Sequence, residues 1–120
     1  MQNIHFLSCA AMLAAASAWA EPVLFTQEEF DRQVVGKTMH AVPLSNARQT
    51  FVVQLQEGGR AVVSSSFNDV GRWRPYQVAG YCVLWNKLGP PERCYTVVKV
   101  DGKLGTVDTA GNVTSTFELR

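Results

Sequence analysis

From Lys37 to the C-terminus, short runs rich in Val, Thr, Phe, Tyr and Trp alternate with turn clusters about every ten residues, the rhythm of an antiparallel sheet. The runs predict strands over residues 38–42, 49–55, 60–65, 71–78, 81–85, 94–100, 103–107 and 113–119. Residues 44–48, Glu57-Gly58-Gly59, Phe67-Asn68-Asp69, Ala79-Gly80, 87–92, Asp101-Gly102 and 109–112 form the turns between them. Asp101-Gly102 is the sharpest of these signals, because a two-residue type I′ turn needs positive φ at both positions and this pair accepts it. The period of two also assigns faces. Phe51, Val53 and Leu55 form one inward set, and Tyr95, Val97 and Lys99 oppose Cys94, Thr96, Val98 and Val100.

One helix precedes the strands. Thr26 caps it, Glu29 completes a T-x-x-E capping box, and Phe25 and Phe30 sit at the positions of a hydrophobic staple. Phe30 and Val34 lie one turn apart on one face, and Gly36 supplies the left-handed residue that ends the segment, so the helix is predicted over 27–35. The expected fold is α+β and β-dominated: one short N-terminal helix packed on a twisted antiparallel sheet of six to eight strands, curled toward a half-barrel.

The first residues follow a different pattern. Phe6 begins a short apolar run, and Ala18-Trp19-Ala20 is the small-x-small pattern cut by a signal peptidase, which predicts a signal peptide over 1–20 and one domain over 21–120. The run falls short of the roughly 20 apolar residues that a spanning helix needs. Formal net charge is +1, so no excess of basic residues calls for nucleic acid or an anionic membrane. Removal of the signal takes Cys9 with it and leaves Cys82 and Cys94. In the oxidising periplasm or exterior these two are expected to pair across a hairpin, with Leu84 on their face and Tyr81, Val83 and Trp85 on the other.

The T-x-x-E helix, Gly36-Lys37-Thr38, Gly71-Arg72-Trp73, the Cys82 to Trp85 C-x-x-W, Cys94 with Val after it, and the Asp101-Gly102 turn stand in an order that resembles a group of uncharacterised small exported proteobacterial domains. The resemblance spans about residues 26–102. It implies a periplasmic or secreted bacterial protein and brings no activity with it.

Candidate chemistry is sparse. Gly36-Lys37-Thr38 looks like the end of a phosphate loop, yet it follows a helix and leads into a strand, and Asp31 stands where that motif needs glycine. His40 is the one histidine after the signal, too few for a zinc site once both cysteines are bridged, and Ser64, Ser65 and Ser66 are better read as a polar strand end than as a nucleophile beside it. No metal or cofactor is expected. The best recognition candidate is Gly71-Arg72-Trp73-Arg74-Pro75-Tyr76, where alternation sets Arg72 and Arg74 on one face as an anion fork and Trp73 on the other. With Arg93 and its loop, Arg72, Trp73, Arg74 and Tyr76 make the expected binding surface. The leading expectation is an exported non-enzymatic binding module for a protein or small anionic ligand. The first rival is an inhibitor or immunity-type protein presenting the rigid 87–92 loop, and the second is an enzyme built on carboxylates.

Overall fold

The computed structural model describes residues 23–120; the expected signal segment, 1–20, lies outside the described residues. The eight predicted strands form with small shifts at their ends: β2 (Thr38–Pro43), β3 (Phe51–Leu55), β4 (Arg60–Ser64), β5 (Asp69–Tyr76), β6 (Gly80–Trp85), β7 (Arg93–Val100), β8 (Lys103–Asp108) and β9 (Val113–Leu119). A two-residue strand, β1 (Val23–Leu24), and one helix, α1 (Gln27–Gln33), come before them.

Each strand from β2 to β9 pairs antiparallel with its sequence neighbour, and β9 returns to pair with β2 through partners such as Ala41 and Phe117. The sheet is therefore a closed eight-stranded up-and-down barrel, where a half-barrel was expected. Closure satisfies the edges that an open sheet would expose. Gly71 serves the tight β5–β6 pairing: a Cβ there would meet the carbonyl oxygen of Leu84 at 2.3 Å. At the β7–β8 hairpin Asp101 and Gly102 both take positive φ, 51° and 75°, as the predicted turn requires. Strand β1 is a ninth strand outside the ring, and it pairs with the far half of β7 where β6 has ended (Val23 with Lys99, Leu24 with Val98).

The helix begins as its sequence predicts. The Thr26 hydroxyl accepts from the Glu29 amide at 3.1 Å, and the Glu29 carboxylate accepts from the Thr26 amide at 3.0 Å. The helix stops at Gln33, with Val34 as its C-cap, slightly short of the expected end. It does not lie on a sheet face. It crosses one end of the barrel, where Gln27 accepts from the Ala79 amide in the β5–β6 turn and the Gly36 amide donates to Leu55 at the end of β3. Phe30 and Val34 are fully buried there, and the Phe30 ring meets Trp73 edge-on and Tyr81 stacked, both at 6.3 Å. Phe25 is buried beside them, with Lys99 over its ring and in an ion pair with Glu29. This end is plugged.

Cys82 and Cys94 are direct cross-strand partners and are joined by a disulfide. Their face is the outer one, shared with Leu84, while Tyr81, Val83 and Trp85 point into the barrel. No helix among the described residues is long and apolar enough to cross a membrane.

Candidate functional site

Inward residues of the barrel do not fill it. Beyond the plug a cavity of about 280 Å³ remains, walled by Met39, Ala41, Val53, Val63, Val83 and Phe117 and bounded by the aromatic rings of Tyr81, Trp85 and Tyr95. Tyr81 is its floor, since one side of that ring faces Phe30 of the plug and the Tyr95 ring lies 5.6 Å away. At the other end the cavity runs up to Pro43, Phe51 and Phe67, the last 39 % exposed. That end carries the loops of residues 44–50, 65–68, 86–92 and 109–112, and among the described residues no helix crosses it. An eight-stranded barrel is just wide enough to be filled by its own side chains or to hold one small ligand.

One wall is polar. Thr106, buried at 6 %, bonds Ser115 Oγ at 2.7 Å and Thr114 Oγ1 at 2.9 Å, and Thr114 also donates to the Thr106 carbonyl at 3.3 Å. A register shift between Thr106 and Val107 brings Thr114 into this group along with Ser115. If each hydroxyl donates once within the cluster, the free capacity left toward the cavity is acceptor lone pairs. Burial pushes the Tyr81 phenol well up, helped by Tyr95. Burial also raises Tyr95, with the positive charge of Arg93 opposing the rise and Asp108 adding to it. Both rings are thus neutral, apolar surfaces at physiological pH.

The open rim is held in shape by Asp69. Its buried carboxylate accepts from the Val70 amide at 2.8 Å, the Lys87 amide at 3.0 Å and the Leu88 amide at 3.4 Å, while Lys87 Nζ donates to the Asn68 carbonyl at 2.8 Å. The 86–92 loop is therefore tied down to β5 at its start. At its finish Glu92 accepts from Arg74 through Nε at 3.0 Å and Nη2 at 2.7 Å. A Glu92 carboxylate oxygen also lies within 4.8 Å of both disulfide sulfurs, so the ion pair and the bridge cross the same strands on the outer face.

The sequence candidates separate accordingly. Trp73 points inward, packs on the plug and donates from Nε1 to the Gln56 carbonyl at 2.7 Å. Arg72 and Arg74 do share the outer face, but Arg74 is already engaged by Glu92, an acid far away in sequence. Arg72 stands opposite Arg60, both exposed, and Tyr76 ends its strand at the plugged end, half-buried. Arg93 is apart from that face: it opens β7 in register with Val83, which lines the cavity. His40 is on the outer face opposite Glu118, and Ser64 lies across β3 from it, about 10 Å away at the usual strand spacing. Sequence reasoning missed Thr106, Ser115 and Asp69. Their signal was polar residues at inward positions of strands, which burial makes costly unless they are hydrogen-bonded.

No family model matches the chain, and neither does any curated protein or solved structure.

Proposed function

We propose that the protein is an exported, non-enzymatic binding module that holds one small apolar molecule in the open end of its barrel. The cavity is the observation that carries this reading. It is enclosed by apolar side chains, offers a few polar atoms on one wall, and is larger than an apolar hole of about 150 Å³ that takes up benzene in another protein. The plugged end and the disulfide support the same reading, because a rigid frame lets a ligand bind without ordering the site first. The bridge itself suits the periplasm or the exterior, in agreement with the expected signal segment. The 86–92 loop, tied to Asp69, Asn68 and Arg74, fits a rim of this site better than a projecting inhibitory finger.

The test uses 1-octanol as an uncharged probe on the oxidised protein, followed by methyl and indole chemical shifts. Shifts are expected at Ala41, Val53, Val83 and Trp85 and not on the outer face, and Ala41→Phe, which fills the cavity, is expected to abolish them. Shifts scattered over outer residues, or none, would reject the reading.

A further inference from the structure

Arg93 stands out among the described residues because its Nη1 is buried without any hydrogen-bond partner, and the guanidinium enters none of the ion pairs between them. A buried donor left unmade is costly, and for a charged group more so. Its position follows from register. Arg93 pairs with Val83 and precedes Tyr95 by two residues, and both of those line the cavity, so alternation sets Arg93 on the inner face at the open end. Its charge acts on the Tyr95 phenol, which agrees with that placement. The nearby acids are otherwise occupied: Asp69 accepts from loop amides, Asp108 from the amides of Ala110 and Asn112, and Glu92 from Arg74.

Arg93 does not itself wall the cavity, but its register puts it beside Val83 and Tyr95, which do. An apolar chamber with a guanidinium next to it that is unpaired among the described residues suits a molecule with an apolar body and one anionic end. We propose that the ligand is a medium-length alkyl carboxylate, its chain in the cavity and its carboxylate on Arg93; this rests on the cavity reading above. Carboxylate is the matching anion because the planar fork of a guanidinium pairs with it through two parallel hydrogen bonds. The shared hydroxyls of Thr106, Thr114 and Ser115 leave only acceptor capacity inward when they satisfy one another, which offers a carboxylate nothing there and favours its placement at the mouth.

The experiment is calorimetric titration of the oxidised protein at neutral pH with octanoate and with 1-octanol, in the wild type, Arg93→Gln and Arg93→Lys, with melting curves for each. Octanoate is expected to bind the wild type at least roughly tenfold more tightly than octanol. Arg93→Gln should erase that preference and leave octanol affinity unchanged, while Arg93→Lys should keep part of it. Because the substitution removes a half-buried guanidinium whose Nη1 has no partner among the described residues, Arg93→Gln should melt no lower than the wild type. Equal wild-type affinities, or a preference that survives Arg93→Gln, would overturn the role of Arg93 and leave the cavity reading standing. Failure of both probes to bind would overturn both. Loss of the fold in Arg93→Gln would mark the residue as structural and also overturn the assignment.

Discussion

The two ends of the barrel solve the same problem differently. At the plugged end the inward positions carry Leu55, Trp73 and Val97, and the helix adds Phe30 and Val34, so apolar surface meets apolar surface and nothing is left over. Toward the open end the inward positions include smaller or polar residues, Ala41, Val63 and Ser115, beside the aromatic Phe51 and Trp85, and among the described residues no element crosses the mouth. The difference is one of side-chain volume and cover, since the backbone ring continues through both. One end supplies stability, and its surplus allows the other to remain incompletely packed. Natural domains are stable by only about 5–15 kcal/mol, so an unfilled cavity needs such an offset elsewhere in the molecule.

The largest expected effect breaks this contrast at its strong side. Phe30→Ala removes a fully buried ring that touches Trp73 and Tyr81, and truncations of that kind cost about 3–5 kcal/mol. Phe67→Ala, the same change at the open rim, is expected to cost about 0.5 kcal/mol, as for substitutions outside the core. Urea unfolding of both variants measures the difference. Similar losses would mean that the open end contributes to the core as much as the plugged end does.

Next in size is the bridge, which ties the strands that flank the rim loop. It joins residues twelve apart, and closing so short a loop stabilises by about 3 kcal/mol on the chain-entropy account. Reduction should lower the unfolding midpoint accordingly. It should also speed amide exchange in the 86–92 loop and the start of β7 more than in α1, because the helix is anchored at the opposite end. Uniform acceleration would show that the ends are not independently held.

The comparison also explains what was readable in the residues. Strand positions were legible because each rests on local alternation and on turn chemistry such as Asp101-Gly102, and the helix start because Thr26, Glu29 and the staple residues all lie within one short stretch. Closure was not legible. It depends on Met39 and Ala41 meeting Leu119 and Phe117, a pairing between the two ends of the strand series with no local signature. Strand β1 was too short to show a period, and it exists because β7 outruns β6. The outer arginine face was visible from parity, but its neutralising partner Glu92 comes from another strand connection. The cavity was hidden for the same reason as closure: it is the sum of inward positions from separate strands, and only a closed ring turns a small residue such as Ala41 into a wall of a chamber. Arg93 was singled out as part of a surface loop, whereas its register sets it on the inner face.

The smallest expected effect separates the ends by acid. Glu29, at the plugged end, is held below the ordinary carboxylate value of 4.5 chiefly by the backbone hydrogen bond from Thr26, with the charge of Lys99 assisting. Glu92, at the rim, is held below the same value chiefly by its hydrogen bonds from Arg74. In both cases the folded protein binds the proton less readily than the unfolded chain. Their stabilisation is therefore fully present above 4.5 and is lost as pH falls through the depressed folded values. Both groups are solvent-exposed and screened, so the change in melting midpoint should be slight and smaller at high salt. Amide exchange locates it better. On acidification the first turn of α1 should lose protection in the wild type, and Glu29→Gln should weaken that pH response without opening the helix at neutral pH, since a glutamine oxygen still completes the capping box. Glu92→Gln should leave α1 unchanged and weaken the acid response at the start of β7, where Glu92 is held by Arg74. If Glu92→Gln altered protection at the helix, the rim and the plug would be one cooperative unit, and the stability of the plugged end would not be separable from the shape of the chamber.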